Sequence, residues 1–389
     1  MQEDYKLNLI TIYHLESTLN IDHFDSYNHL NSTSIQNTSS HQILNMTSDP
    51  TSPIPIIDFS PFLHPTSQTS RLETAKALVE ACRHVGFVYI INHDIPSSLL
   101  EEAFAMTKEL FDLSHEEKMQ AEHPPGPCVH RGYSYPGLEK VYQVISDDVK
   151  LGEKLRDVRD CKESYEIGSE KNPEQPNIWL PESTLPNFHS FMQSFYHRLS
   201  STEQQILLAL GTGLELHNPS FLADFHSGNG NQLRLLHYPP IPASEIEKGI
   251  AARMPAHSDF GSITLVFQDE CGGLEIEHPK KPGEFIRAHP LKDAIVMNVG
   301  DLLMRWTNDD LKSTLHRVQL PPLSTRYTIT DEGEKITQAR YSIPYFCGPD
   351  ADKVIEVLGE CVKDGEEKKY EPITAGEYFK MRYALAYKS

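Results

Sequence analysis

The stretch Met254-Pro255-Ala256-His257-Ser258-Asp259-Phe260-Gly261-Ser262-Ile263-Thr264-Leu265-Val266-Phe267 decides how the rest of the chain is read. β-Branched and aromatic residues dominate its second half, which predicts a β-strand. Ile263, Leu265 and Phe267 alternate, loosely, with Ser262, Thr264 and Val266. On an extended chain, residues i and i+2 point to one face. His257 and Asp259 would then aim an imidazole and a carboxylate at one point, with Ser258 turned away. Such a pair can grip two positions of a divalent metal. A lone His-x-Asp is common in proteins that hold no metal, so a third ligand is required. The best candidate is His316, in the second strand-like run Lys312-Ser313-Thr314-Leu315-His316-Arg317-Val318-Gln319-Leu320. Two histidines and one carboxylate would leave part of the metal's coordination sphere open.

Composition bounds what such a centre could serve. The chain has 389 residues, 39% hydrophobic and 23% charged, enough for a sizeable core and, by length, two or three domains. Its formal net charge of −20 argues against nucleic acid and against anionic membrane surfaces, both of which need clustered positive charge. The six cysteines (Cys82, Cys128, Cys161, Cys271, Cys347 and Cys361) are spread along the chain without a Cys-x-x-Cys pair, which fits a reducing, cytoplasmic setting. No run approaches the roughly 18 apolar residues of a membrane helix. The start, Met-Gln-Glu-Asp, does not read as a signal peptide.

Along the chain, residues 1–52 are rich in Ser, Thr, Asn and His and read as a disordered leader. The three sequons there, at Asn31, Asn37 and Asn45, read as chance occurrences. Residues 53–389 read as one domain: a mostly helical part over 53–225, a strand-rich core over 226–350 and a helical segment over 351–389. Order begins with a short strand at Pro53–Phe59. An amphipathic helix from about Ser70 to His84 carries Leu72, Ala75, Leu78, Val79 and Cys82 at helical spacing. A strand, Phe87–Ile91, and a helix, Leu99–Leu113, follow, and Ser114 starts a third helix. Residues 123–182 show little periodicity and read as a long irregular segment. A long helix spans about Leu185–Leu214, with Phe188, Phe191, Met192, Phe195, Leu199, Ile206 and Leu210 on its apolar side. From Gln232 onward, short strands lie between turn signals such as Gly272-Gly273 and Lys281-Pro282-Gly283. That pattern suggests an antiparallel sandwich or barrel. Thr374–Tyr387 reads as a closing helix.

A further stretch, Arg340-Tyr341-Ser342, places a guanidinium and a hydroxyl on one strand face, a donor set suited to a carboxylate. With His257, Asp259 and His316 before it, the chain resembles the Fe(II)/2-oxoglutarate-dependent dioxygenases of the isopenicillin N synthase type. The resemblance runs from Pro53 to the C-terminus. It rests on Pro55-Ile56-Ile57-Asp58, Gly86-Phe87-Val88-Tyr89-Ile90-Ile91-Asn92-His93, Arg131-Gly132-Tyr133, Leu236-His237-Tyr238-Pro239-Pro240, His257-Ser258-Asp259, Asn298-Val299-Gly300-Asp301 and Arg340-x-Ser342. Each is weak alone; their order and spacing are specific.

The resemblance implies an α+β fold with a double-stranded β-helix, or jelly-roll, core and flanking helices. It implies that His257, Asp259 and His316 hold Fe(II), and that Arg340, Ser342 and Tyr238 hold 2-oxoglutarate. O2 is the second co-substrate, and ascorbate an accessory reductant. The reaction would hydroxylate, desaturate or cyclise a small-molecule metabolite, with release of succinate and CO2, in a monomer that binds neither nucleic acid nor membrane. Arg131 and Tyr133 are candidate substrate contacts, on a loop over a rigid scaffold. One departure is the long separation of His316 and Arg340. The extra residues, Thr325–Gln338, read as a surface hairpin and make Arg326 a competing carboxylate binder. Asp301 reads as a turn residue, Lys162-Glu163-Ser164 as a structural anchor, and His217, His226, His237, His278 and His289 as surface or core. Three other readings remain open: a catalytically silent jelly roll that binds a small molecule, an iron oxidase of the same family that does not use 2-oxoglutarate, and a zinc hydrolase with the same ligands.

Overall fold

The computed structural model describes residues 54–126, 130–138, 158–321 and 324–386. The leader expected over residues 1–52 lies outside them. The strands that build the architecture are β1 (Ile56–Asp58), β2 (Phe87–Ile91), β3 (Gly132–Ser134), β4 (Glu163–Gly168), β5 (Gln232–Tyr238), β6 (Met254–His257), β7 (Ile263–Gln268), β8 (Leu274–His278), β9 (Lys281–Arg287), β10 (Ile295–Val299), β11 (His316–Val318), β12 (Tyr327–Ile329), β13 (Lys335–Thr337) and β14 (Arg340–Cys347). The main helices are α1 (Gln68–His84), α2 (Ser97–Asp112), α3 (Phe188–Gly213), α4 (Asp301–Trp306) and α5 (Ala375–Ala386).

Eight strands form a major sheet in the order β1-β2-β10-β7-β14-β5-β4-β3, and four form a minor sheet in the order β9-β8-β11-β6. Apart from the parallel β1–β2 edge, the pairings within these two sheets are antiparallel. Period-two alternation gives the major sheet two distinct faces. Val88, Ile90, Ile263, Leu265, Phe267, Ile295, Met297, Ile343 and Tyr345 join one apolar cluster with residues of α1, α2 and α3. Phe87, Tyr89, Leu236, Tyr238 and Val296 face the other way and pack with Met254, Leu274, Ile276 and Val318 of the minor sheet. The helices therefore clothe the outside of the large sheet, and the interior lies between the two sheets.

The opening stretch is not one strand. Its first part, β6, belongs to the minor sheet, and its second part, β7, to the major one. Residues 258–262 carry the chain across. Gly261 permits the crossing, since a Cβ there would come within 2.4 Å of the Cys347 carbonyl oxygen. The strand signal holds for Ile263–Phe267, but nothing in the residue types reveals that the pairing partner changes at Ser258.

A second correction concerns residues 123–182. Glu163–Gly168 is a fully buried strand paired to β5, with Glu163 opposite His237 and Glu166 opposite Arg234. Its polar residues hide the alternation, because their partners are themselves buried. Lys281-Pro282-Gly283 opens the exposed strand β9 rather than standing as a bare turn. Leu72, expected on the apolar side of α1, is 37% exposed. The third helix is a single turn, His115–Lys118, closed by a Ser114–Glu117 capping box. The hairpin expected over Thr325–Gln338 is present as β12 and β13.

Glu203 of α3 is completely buried. The Asn231 side-chain amide donates to its Oε2, and Oε1 has no hydrogen-bond partner. Burial pushes its pKa up to about 8. A carboxyl raised above its unfolded value of roughly 4.3 stabilises the fold while protonated, and that contribution is lost as the pH rises through about 8. The melting temperature should therefore fall between pH 5 and pH 8.5. Glu203→Gln should flatten that slope and melt higher than wild type at the alkaline end; thermal melts of both proteins across the range check this.

Candidate active site

The site forms where the two sheets approach one another. Register alone brings its two imidazoles together, because His316 of β11 pairs directly with His257 of β6. Their ring centroids are 4.2 Å apart, and Phe87 packs edge-on against His316 from the major sheet. In each ring the Nδ1 faces a backbone carbonyl: that of Pro255 at 2.9 Å for His257, and that of Thr314 at 3.3 Å for His316. A nitrogen facing a carbonyl must donate, so it carries the proton and leaves Nε2 as the lone-pair nitrogen.

Both Nε2 atoms face one oxygen. His257 Nε2 lies 3.8 Å and His316 Nε2 3.7 Å from Asp259 Oδ1. The other carboxylate oxygen is committed elsewhere: Oδ2 accepts from the Thr264 hydroxyl at 2.5 Å and the Asn298 amide at 2.8 Å. Thr264 and Asn298 are opposite each other on β7 and β10, on the inner face of the sheet. The backbone fixes the loop as well. Asp301 N–H donates to the Asp259 carbonyl, Gly300 N–H to Ser262, and Leu302 N–H to Gly261.

Burial, then the neighbouring His316, hold the His257 imidazole down at about 4, so it is neutral at physiological pH. Burial alone would raise Asp259. The facing His316 and His257, with the Thr264 and Asn298 hydrogen bonds, outweigh it and hold the carboxyl below its usual value. One carboxylate and two imidazoles, with ligand atoms all within 4.8 Å of one another, form a donor set suited to a divalent metal.

Arg340, at the start of β14, is buried with Ser342. Its Nη1 donates to the Ser342 hydroxyl at 2.9 Å and its Nε to the Gly272 carbonyl at 3.0 Å. Its guanidinium lies 5.0 Å from the centroid of the Tyr238 ring, in register on β5. Arg340, Ser342 and Tyr238 thus share the inner face with Thr264 and Asn298. Arg326 does not join them. It is half-buried ahead of β12, and its Nη2 reaches the exposed Glu270.

The remaining candidates separate. Tyr133 pairs with Tyr165 on the helix-facing side, where its hydroxyl donates to Glu163, which also holds Lys118 and His237. It is not brought to the His257–Asp259–His316 cluster. The Arg131 guanidinium covers Gly168 at the end of β4, with Nη1 donating to the His130 carbonyl. His226 is a core residue held by the Leu222 carbonyl and the Ser262 hydroxyl.

Sequence reasoning misses the supporting shell. Asn298 and Asp301 lie in one of the motifs of the resemblance, yet neither reads as a functional residue from the sequence. Asp301 is a hub rather than a simple turn residue. Ser313 and Ser258 donate to its carboxylate, and Arg382 of α5 pairs with it at 2.8 Å. The signal available was the inward parity of Thr264 and Asn298 on adjacent strands.

Residues 229–349 match the family model of the 2OG-Fe(II) oxygenase superfamily, and residues 54–186 match the N-terminal region of the non-haem dioxygenase in morphine synthesis. The chain belongs to the 2OG-Fe(II) oxygenase superfamily. The 2-oxoglutarate-Fe(II) type oxidoreductase ppzD of Metarhizium rileyi is 40% identical over 85% of this chain and 90% of that protein. The proline hydroxylase buaE of Petromyces alliaceus is 39% identical over 85% of this chain and 98% of its own. Among solved structures, a full-length Neurospora crassa protein in complex with alpha-KG and thymine superposes with a TM-score of 0.75 at 38% identity, over 86% of this chain and 98% of its own. The protein is therefore an Fe(II)- and 2-oxoglutarate-dependent oxygenase that uses O2, with a jelly-roll core. The silent-binder, 2-oxoglutarate-independent and hydrolase readings are not favoured. Among the described residues, no helix is long and apolar enough to cross a membrane.

Removing one anchor of Asp259 should loosen the trio without unfolding the sheet. Asn298→Ala is expected to weaken Mn(II) binding by about 10- to 100-fold, the usual effect of losing a partner of a metal-binding side chain. Metal titration followed by calorimetry, with a melt to confirm folding, checks it.

Proposed function

We propose that His257, Asp259 and His316 hold the iron, and that Arg340 and Ser342, against the Tyr238 ring, hold the distal carboxylate of 2-oxoglutarate. The observation that carries this reading is the convergence of the two Nε2 atoms on Asp259 Oδ1, beside a buried guanidinium–hydroxyl pair on the same inner face. When bound, the iron and 2-oxoglutarate supply the oxidising power: the co-substrate is decarboxylated to succinate and CO2, and one oxygen atom of O2 enters the substrate.

The chain's own residues perform the remaining tasks. The Pro255 and Thr314 carbonyls keep the two Nδ1 protons in place, so each Nε2 stays a donor to metal. Thr264 and Asn298 hold Asp259 so that it offers one oxygen and not two. A metal held there through Oδ1 alone would keep positions open for the co-substrate and O2. Ser342 orients the Arg340 fork, and the surrounding burial strengthens a charge-assisted grip on a carboxylate.

The substrate is read as a small-molecule metabolite, in keeping with the proline hydroxylase among the relatives and the thymine bound in the Neurospora crassa complex. Hydroxylation is the expected outcome. The enzyme is read as a cytoplasmic monomer.

Two results are expected. His257→Ala, Asp259→Ala and His316→Ala should each abolish 2-oxoglutarate turnover, followed as succinate release, while leaving a folded protein; full turnover at limiting Fe(II) in any one of them would remove that residue from the centre. Arg340→Ala should raise the KM for 2-oxoglutarate roughly 30-fold or more, the effect of removing one partner of a buried charge pair. Arg340→Lys should fall between, having lost the fork but kept the charge. Arg326→Ala should leave that KM unchanged.

A further inference from the structure

A second guanidinium lies in the interior beside Arg340. Arg253 precedes β6 and is 1% exposed. Its Nη1 reaches the Gln319 carbonyl only at 3.5 Å, and its Nε and Nη2 have no hydrogen-bond partner. Leaving the donors of a buried cation unmade is costly, and an anionic partner removes that cost. The unmade pair is the Nε–Nη2 edge, whose two parallel N–H groups match a carboxylate.

The surroundings point to which anion. The Arg253 guanidinium is 5.7 Å and that of Arg340 5.0 Å from the centroid of the same Tyr238 ring. The neighbouring carboxylate, Asp269, is already taken: it accepts the Tyr341 N–H at 2.6 Å and the Cys271 N–H at 3.0 Å, and neither guanidinium hydrogen-bonds to it. The Cys271 thiol beside Arg253 is kept protonated by burial and offers only a weak acceptor. The other buried cation nearby, Lys162, is matched by Asp160, so the two guanidiniums face one committed carboxylate and one positive charge stands unmatched next to the Arg340–Ser342 pair.

We propose that Arg253 is the second arm of the co-substrate clamp, gripping the distal carboxylate of 2-oxoglutarate from the minor-sheet side while Arg340 and Ser342 grip it from the major sheet. This rests on the reading of Arg340 and Ser342 given above. Arg340 spends its Nε on Gly272 and one Nη1 N–H on Ser342. Arg340 keeps its Nη1–Nη2 end for the carboxylate, and Arg253 adds a second, side-on edge through Nε and Nη2.

The test compares 2-oxoglutarate with pyruvate, a 2-oxo acid that lacks the distal carboxylate, each titrated into the Mn(II)-loaded protein. Wild type, Arg253→Met, Arg253→Lys and Arg340→Met are measured, with Mn(II) affinity and melting temperature as controls. Arg253→Met should weaken 2-oxoglutarate binding about 30-fold or more while pyruvate and Mn(II) bind as in wild type, and Arg253→Lys should recover part of the loss. Unchanged 2-oxoglutarate affinity in Arg253→Met, with the loss confined to Arg340→Met, overturns the proposal and leaves the Arg340 reading standing. Equal losses for 2-oxoglutarate and pyruvate also overturn it, since that marks a general disturbance of the pocket. No loss in either variant overturns the Arg340 reading as well. Should Arg253→Met fail to fold, Arg253→Lys decides: an unchanged preference for 2-oxoglutarate over pyruvate counts against the proposal, and a reduced one supports it.

Discussion

The grip of Thr264 and Asn298 on one oxygen of Asp259 is the constraint around which the site is built. A carboxylate has two equivalent oxygens and a freely turning terminal bond. Two donors on Oδ2 remove that freedom and leave Oδ1 facing both imidazoles. Those donors come from neighbouring strands of the major sheet, while both imidazoles come from the minor sheet. The trio therefore exists only where the two sheets are held at the right separation. The apolar cluster of Phe87, Tyr89, Leu236, Val296, Met254 and Ile276 sets that separation.

The helices act on the site at one remove. Their cluster packs against the back of the same strands whose front carries Thr264, Asn298, Arg340 and Ser342. Displacing α3 would tilt those strands and with them the donors. The C-terminal helix acts more directly, since Arg382 pairs with Asp301 and lies 4.4 Å from the Phe260 ring centroid. That contact ties α5 to the loop carrying Asp259.

Much of this is legible in the residues. Strand and helix placements follow from periodicity at α1, α2, α3, β2, β5, β7, β10 and β14, because each has one strongly apolar face. The His257–Asp259 and Arg340–Ser342 pairs follow from i, i+2 spacing on extended chain, whereas His316 joins them through the family resemblance and, in the fold, through its register with His257. Two things are hidden. The first is where a strand changes sheets: Ser258–Ser262 has no turn signal stronger than Gly261, and the crossing is dictated by tertiary pairing. The second is β4, whose Glu163, Ser164 and Glu166 read as loop because burial of polar groups depends on partners, Lys118, His237 and Arg234, that lie far away in sequence. Arg253 is invisible for the same reason: one arginine in a sequence does not announce that it is buried.

The two-faced major sheet also has an evolutionary consequence. Alternate positions of β5, β7, β10 and β14 carry different loads: the outward apolar set packs against the helices, and the inward set both packs against the minor sheet, through Leu236 and Val296, and lines the candidate site, through Thr264, Asn298, Arg340 and Ser342. Exchanges at an inward position such as Pro344 leave the helix-side packing untouched. A scaffold divided in this way can change what it accepts by single-residue steps without first acquiring a reserve of stability. Diversification confined to one parity of each strand is the economical way to redirect it.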